Sequence, residues 1–190
     1  TYEIEGSEQV LDGTTILSWL TINDDLSVTV DSDMAASYAQ QLASKYNTYA
    51  STRSFETTAG DTVKIGGGDY GWVINKKGEA AQIVEDIKNG ESVTREPKYE
   101  QRAFVEGADD IGNTYIEIDY TNQHLWYYKD GSLVVDSDIV SGNLNNGNGS
   151  PDGVFKIISR QSPATLKGED YESDVTYFMP FAYNVGLHDA

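Results

Sequence analysis

Tyr115-Ile116-Glu117-Ile118-Asp119, then Asn122-Gln123, then His124-Leu125-Trp126-Tyr127-Tyr128 and Asp130-Gly131, is the run whose period decides the fold. Tyr115, Glu117 and Asp119 alternate with Ile116, Ile118 and Tyr120, which is the two-residue repeat of a strand with two different faces. Asn122-Gln123 supplies a turn and residues 124–128 the return strand. Asp130-Gly131 is the dipeptide that a tight hairpin needs, because both positions tolerate positive φ. Leu133-Val134-Val135, Ile139-Val140, residues 154–158 and residues 181–185 continue the short, evenly spaced strands. Everything past residue 110 therefore reads as all-β, a sandwich or barrel-like sheet.

Upstream of this run the period is mixed. Residues 14–20 and 26–30 are expected as strands from their β-branched content. Asp31-Ser32-Asp33 offers N-caps for a helix over residues 34–50, with Ala35, Tyr38, Ala39, Leu42 and Tyr46 on one face. Gly66-Gly67-Gly68 lies between Thr62–Ile65 and Tyr70–Ile74. With no Gly-Lys-Ser/Thr following, it reads as a hairpin connection and not as a phosphate cradle. A second helix is expected over 79–89, with Ala80, Ile83, Val84 and Ile87 on one face and Gly90 as its C-cap. Residues 91–108, which contain Pro97 and end in Gly107-Ala108-Asp109-Asp110, read as an extended connector. The expected division is an α+β domain over 1–107 and a mainly β domain over 108–190.

The 190 residues carry a formal net charge of −18. Residues 1–107 hold nine basic against 18 acidic groups and residues 108–190 four against 13, so each half is −9. With no basic stripe, nucleic-acid binding has no electrostatic basis. An acidic solvated surface or attraction to amines fits better. The 18 glycines and 13 tyrosines against four prolines favour strands and turns. Zero cysteines exclude a disulfide framework, thiolate metal sites and a thiol nucleophile within these residues. No cofactor motif and no metal-ligand spacing is present, so neither is expected. No run approaches a membrane span, and Thr1 in place of methionine suggests an excised segment whose anchor or export signal would lie upstream.

The landmarks of the second half occur in a recognisable order. They are Tyr115–Asp119, Asn122-Gln123-x-Leu125-x-x-Tyr128-x-x-Gly131, Val140-Ser141-Gly142, Ser150-Pro151-Asp152-Gly153-Val154-Phe155, Met179-Pro180-Phe181, and Val185-Gly186-Leu187-His188. Together they resemble the L,D-transpeptidases of the YkuD type, with Ser150 in place of the family's threonine. Tyr70-Gly71-Trp72-Val73-Ile74 and the following helix more loosely resemble the peptidoglycan-binding module that precedes this domain in some members.

The resemblance implies a YkuD-like second domain, C-terminally truncated as the sequence stands. It also implies acyl transfer from a peptidoglycan stem tetrapeptide to an amine through a cysteine thiolate. That cysteine lies, in the family, in a Ser/Thr-His-Gly-Cys motif past the histidine matched by His188. His188 is then the candidate base or active-site-lining residue, and Asp189 a possible orienter through its main chain. The implied partners are stem peptides, with no nucleic acid, and with a membrane only through an upstream anchor. The implied state is a monomer at the extracellular face or wall of a Gram-positive cell, acylated by carbapenems when complete. Without a cysteine, these residues alone are expected to be inactive. The alternatives are a non-catalytic peptidoglycan-binding module, a calcium-dependent adhesion protein prompted by the Asn/Gly/Asp loop at 143–152, and a Ser/His/Asp hydrolase. The calcium reading lacks Asp-x-Asp-x-Asp-Gly spacing, and the hydrolase lacks a Gly-x-Ser-x-Gly elbow. His124 has no such context and is expected to be structural.

Overall fold

Asp12 decides the first element that departs from expectation. Its carboxylate accepts a hydrogen bond from the Thr15 backbone N–H at 2.7 Å, an N-cap that starts a short helix where the β-branched run predicts a strand. A computed structural model describes residues 1–143, 145, 147–168, 172–183 and 185–189. Leu144 and Asn146 of the Asn/Gly loop, Asn184 of the run 181–185, and Ala190 lie outside the described residues.

The elements up to residue 110 are β1 (Tyr2–Ile4), β2 (Ser7–Gln9), α1 (Gly13–Leu17), β3 (Leu20–Ile22), β4 (Val28–Val30), α2 (Ser32–Tyr46), β5 (Arg53–Glu56), β6 (Thr62–Ile65), β7 (Val73–Ile74), α3 (Lys76–Asn89) and β8 (Tyr99–Gln101). Beyond it come β9 (Tyr115–Asp119), β10 (His124–Lys129), β11 (Ser132–Asp138), β12 (Ala164–Lys167), β13 (Glu172–Val175), β14 (Phe178–Ala182) and β15 (Val185–His188). All pairings between these strands are antiparallel: β1–β2, β3–β4, β5–β6, β7–β8, β9–β10–β11, β12–β13 and β14–β15. Among the described residues no helix is long and apolar enough to cross a membrane.

The chain forms two units. The first comprises residues 1–49 and 71–110, the second 50–70 and 111–190. In the first, α2 begins where Asp31 accepts from the N–H groups of Asp33 and Met34. α3 ends where Gly90 turns left-handed at φ +69°. The periodic faces of both helices meet in a core of Tyr2, Ile4, Trp19, Ala35, Leu42, Ala43, Tyr46, Ile74 and Ile83. Fully burying one side chain such as Leu42 or Ile83 contributes about 1.5–3 kcal/mol. Glu79 is also fully buried. It accepts from Tyr2 Oη at 2.6 Å, from Arg95 at 2.7 and 3.0 Å, and from the Lys98 N–H at 2.6 Å. A carboxylate sealed from water needs this many donors. Residues 91–108 are thus not a mere connector: β8 closes against β7, and Arg95 completes the ion pair.

A single cut near 107 does not describe this partition, because β5 and β6 belong with the second unit. Phe55 on β5 sets its ring edge-on to Tyr115 of β9 at 5.4 Å. In the loop after β5, Thr58 donates to Glu117 through its N–H at 3.1 Å and its Oγ1 at 2.6 Å. Gly68, at φ +82°, forms an isolated parallel bridge with Val154, and a Cβ there would sit 2.0 Å from the Val154 carbonyl oxygen. Gly68 therefore lets another backbone approach, and β6 and β7 are not a hairpin pair.

In the second unit the expected hairpin forms, with Asp130 and Gly131 both at positive φ. The described residues past 110 hold no α-helix. Three expected strands change. Residues 154–158 form a single β-bridge, at Val154, residues 139–140 lie outside β11, and the run 181–185 is split between β14 and β15 with Tyr183 at φ +45°.

Candidate functional site

β14 and β15 carry the residues that the sequence assigns to chemistry. Their hairpin is close: a Cβ on Gly186 would lie 2.4 Å from Phe178 Cε2 and 2.7 Å from the Met179 carbonyl oxygen, so only glycine fits beneath Pro180. The register sets His188 opposite Phe178 at the open end of the hairpin. On its other edge, β14 exchanges two 2.9 Å backbone hydrogen bonds between Phe178 and Gln161, and its Pro180 carbonyl accepts from the Ile158 N–H at 2.8 Å.

His188 is exposed, and its Nδ1 donates to the Asp189 carbonyl oxygen at 2.9 Å. A carbonyl can only accept, so in the neutral ring the proton sits on Nδ1 and Nε2 presents its lone pair. The Asp189 carboxylate does something else. It accepts from the N–H groups of Tyr177 at 2.7 Å and Thr176 at 3.1 Å. The Tyr177 bond above all, with Thr176 beside it, holds that carboxyl below the usual carboxylate range. One residue thus ties the end of the hairpin to the segment after β13 with its side chain and fixes the ring tautomer with its main chain. Such an arrangement offers an exposed proton acceptor of defined tautomer.

The Ser150–Phe155 turn supports this hairpin. Ser150 Oγ accepts from the Gly142 N–H at 3.1 Å, and the Pro151 carbonyl accepts from Tyr120 Oη at 3.1 Å. Gly153, at φ +137°, faces the Gly68 N–H, and Phe155 rests on Phe181 of β14 at 5.6 Å. The turn's role is structural.

His124 sits apart on β10. Nε2 lies 2.5 Å from Asp136 and Nδ1 3.0 Å from Asp138, and the ring packs on Trp126 at 4.4 Å. Hydrogen bonding to Asp136 first, with Asp138 adding to it, raises its pKa above the ordinary histidine value. Among the described residues no group of three or more His, Cys, Asp or Glu is placed to hold a metal ion.

Residues 1–95 match the family model described as "Putative peptidoglycan binding domain", and residues 113–190 match that of the YkuD L,D-transpeptidase catalytic domain. The chain is 37% identical to a mutant form of the Enterococcus faecium L,D-transpeptidase, with a TM-score of 0.77, covering 100% of this chain and 76% of that one. The chain belongs to the L,D-transpeptidase family. A second structure, the Ldtfm–avibactam carbamoyl enzyme, is also 37% identical, with a TM-score of 0.76 and coverage of 100% and 75%. No curated protein sequence matches the chain at a significant level.

Within this family member, reading the sequence singled out His188 and Asp189, and the fold makes them hydrogen-bonded neighbours at one hairpin end. The carboxylates around His124 went unread. The available signal was Asp136-Ser137-Asp138, a two-residue spacing that puts both carboxylates on one side of a strand opposite the histidine. Glu79 gave no signal beyond its place at a helix start, because its donors lie up to 77 residues away.

Proposed function

We propose that this chain is part of a peptidoglycan L,D-transpeptidase, with His188 as the proton-exchanging residue of its acyl transfer. The carrying observation is the 37% identity to solved L,D-transpeptidases over the whole chain. In the proposed reaction a cysteine thiolate attacks the carbonyl carbon of a stem-peptide donor. The C–N bond to the terminal residue breaks, and the leaving amine takes a proton from imidazolium. An acceptor amine then attacks the thioester, a new C–N bond replaces the C–S bond, the proton shed by the amine passes to the imidazole, and the thiolate and imidazolium return. His188 serves these steps through Nε2, its tautomer set by the Asp189 carbonyl. The 190 residues contain no cysteine, so the thiol is not among them. The proposed setting is the cell wall of a Gram-positive bacterium, with stem peptides as substrates and carbapenems as acylating inhibitors.

Intact-mass spectrometry with a carbapenem tests this reading. The complete gene product is expected to gain one adduct on a cysteine, and His188→Ala to slow that acylation by roughly 10²–10⁴-fold. Residues 1–190 alone are expected to keep their mass. An adduct on them would overturn the thiolate mechanism. A second reading, wall binding without chemistry, is favoured by the match over 1–95. It requires a gene product that sediments with peptidoglycan and stays unmodified by the drug.

A further inference from the structure

The first unit carries a groove that neither the hairpin chemistry nor the core explains. It has a volume of about 440 Å³ and is lined by Asn47, Tyr49, Val73, Glu100 and Gln101, all from that unit. Its wall is rigid. The segment after α2 is pinned to β7 by Thr48 N–H to the Trp72 carbonyl at 3.1 Å, Trp72 N–H to Thr48 Oγ1 at 2.8 Å, and Ile74 N–H to Asn47 Oδ1 at 2.9 Å. Gly71, at φ +130°, permits this, since a Cβ there would lie 2.5 Å from the backbone of Thr48 and Tyr49. Gln101 is held too, its Nε2 donating to the Gly71 carbonyl at 2.8 Å.

The β7–β8 pairing beside it contains a β-bulge. Val73 pairs with Gln101 and Ile74 with Tyr99, which leaves Glu100 as the extra residue. Against this fixed frame three groups lack partners among the described residues: the half-exposed Tyr49 ring, Asn47 Nδ2, and the Glu100 carboxylate. The half-exposed Tyr49 ring, the Asn47 N–H donor and the Glu100 carboxylate thus line one concave surface.

We infer that this groove is a saccharide site for an N-acetylated amino sugar, and hence that the first unit binds the glycan strand of peptidoglycan. The inference rests on the wall-binding reading above. A pyranose presents a C–H face that lies on an aromatic ring, and its acetamido group offers both a carbonyl for Asn47 and an N–H for Glu100. A stem peptide fits less well. Glu100 is the sole charged side chain among the five lining residues, and it repels a C-terminal carboxylate.

The test is an amide chemical-shift titration of residues 1–190 with chitotetraose, four β-1,4-linked N-acetylglucosamines. Shifts are expected at residues 47–49, 73 and 100–101. Tyr49→Phe should bind as the unaltered chain does, and Tyr49→Ala about tenfold more weakly or worse, as for an aromatic anchor. If Tyr49→Ala disturbs the spectrum across the first unit, Glu100→Gln, at an exposed bulge, carries the test and is expected to weaken binding severalfold. Shifts confined to other residues, or unchanged binding by a correctly folded variant, would overturn the site. Sedimentation with intact peptidoglycan separates the two levels. Retention without any chitotetraose binding overturns the saccharide site and leaves wall binding intact. Failure of both removes both.

Discussion

Glu79 and His124 are both carboxylate-linked, yet burial gives them opposite energetics. Glu79 is sealed from water and holds Tyr2, Arg95 and the Lys98 N–H, so weakening it strands a partly buried guanidinium and a phenol. Burial first, and Glu79 second, pushes the Tyr2 phenol far up, which keeps it a donor to that carboxylate. Glu79→Gln is expected to lower unfolding free energy by about 3 kcal/mol, read from urea titrations followed by tryptophan fluorescence. His124 is different, since its carboxylates are exposed and its contribution is screened. A neutral ring has one N–H and can donate to only one of Asp136 and Asp138, so engaging both requires imidazolium. Asp119, opposite it on β9, adds a third negative charge. The folded pKa of His124 is raised, so its stabilisation is complete below about pH 6.5 and fades as pH rises through the folded value. A proton-NMR titration should place the His124 midpoint above the ordinary value, with Asp136→Asn lowering it more than Asp138→Asn. A midpoint at or below the unperturbed value would remove the double clamp.

Among elements, two glycines separate conformational from steric demand. Gly90 ends α3 in the left-handed region with nothing within 4 Å of an added Cβ, so Gly90→Ala meets only backbone strain and should cost about 1 kcal/mol. Gly186 lacks that strain but is hemmed by Phe178, Met179 and Pro180, so Gly186→Ala must spread β14 from β15 and should cost about 1–3 kcal/mol. The second substitution is also expected to shift the amide of His188, because the hairpin register positions that ring. Equal effects from both, with His188 undisturbed, would show that the hairpin tolerates a wider spacing. Capping explains which elements were legible beforehand. Asp31 and Gly90 act within a turn of their own helices, so α2 and α3 were readable. Asp12 uses the same local chemistry, but the β-branched Thr14-Thr15-Ile16 after it masked the signal. Residues 154–158 look like a strand by composition, yet composition cannot supply a partner strand.

For the whole molecule, burial is unevenly shared. The first unit holds twelve buried apolar residues, nine of them in one cluster between α2, α3 and the short strands. In the second, the buried apolar side chains among the described residues are Val175, Phe181 and Ala182, while every residue of β11 is exposed. Opening free energy follows buried apolar contact. Native-state hydrogen exchange should therefore be slowest in α2 and α3 and fastest in β11, and the reverse order would contradict this account. The sequence by itself determined the change of period near residue 110, the caps of α2 and α3, the Asp130-Gly131 hairpin, and the ordered landmarks that match the family. Each depends on residues within a few positions of one another, where chain connectivity fixes geometry. Only the tertiary structure decided that residues 50–70 join the second unit, that Glu79 is buried and satisfied, that His124 lies between two carboxylates, and that the Asn47–Tyr49 segment lies against β7 to form a groove. Those outcomes join groups 12 or more positions apart, and which distant groups meet is set by how the whole chain packs.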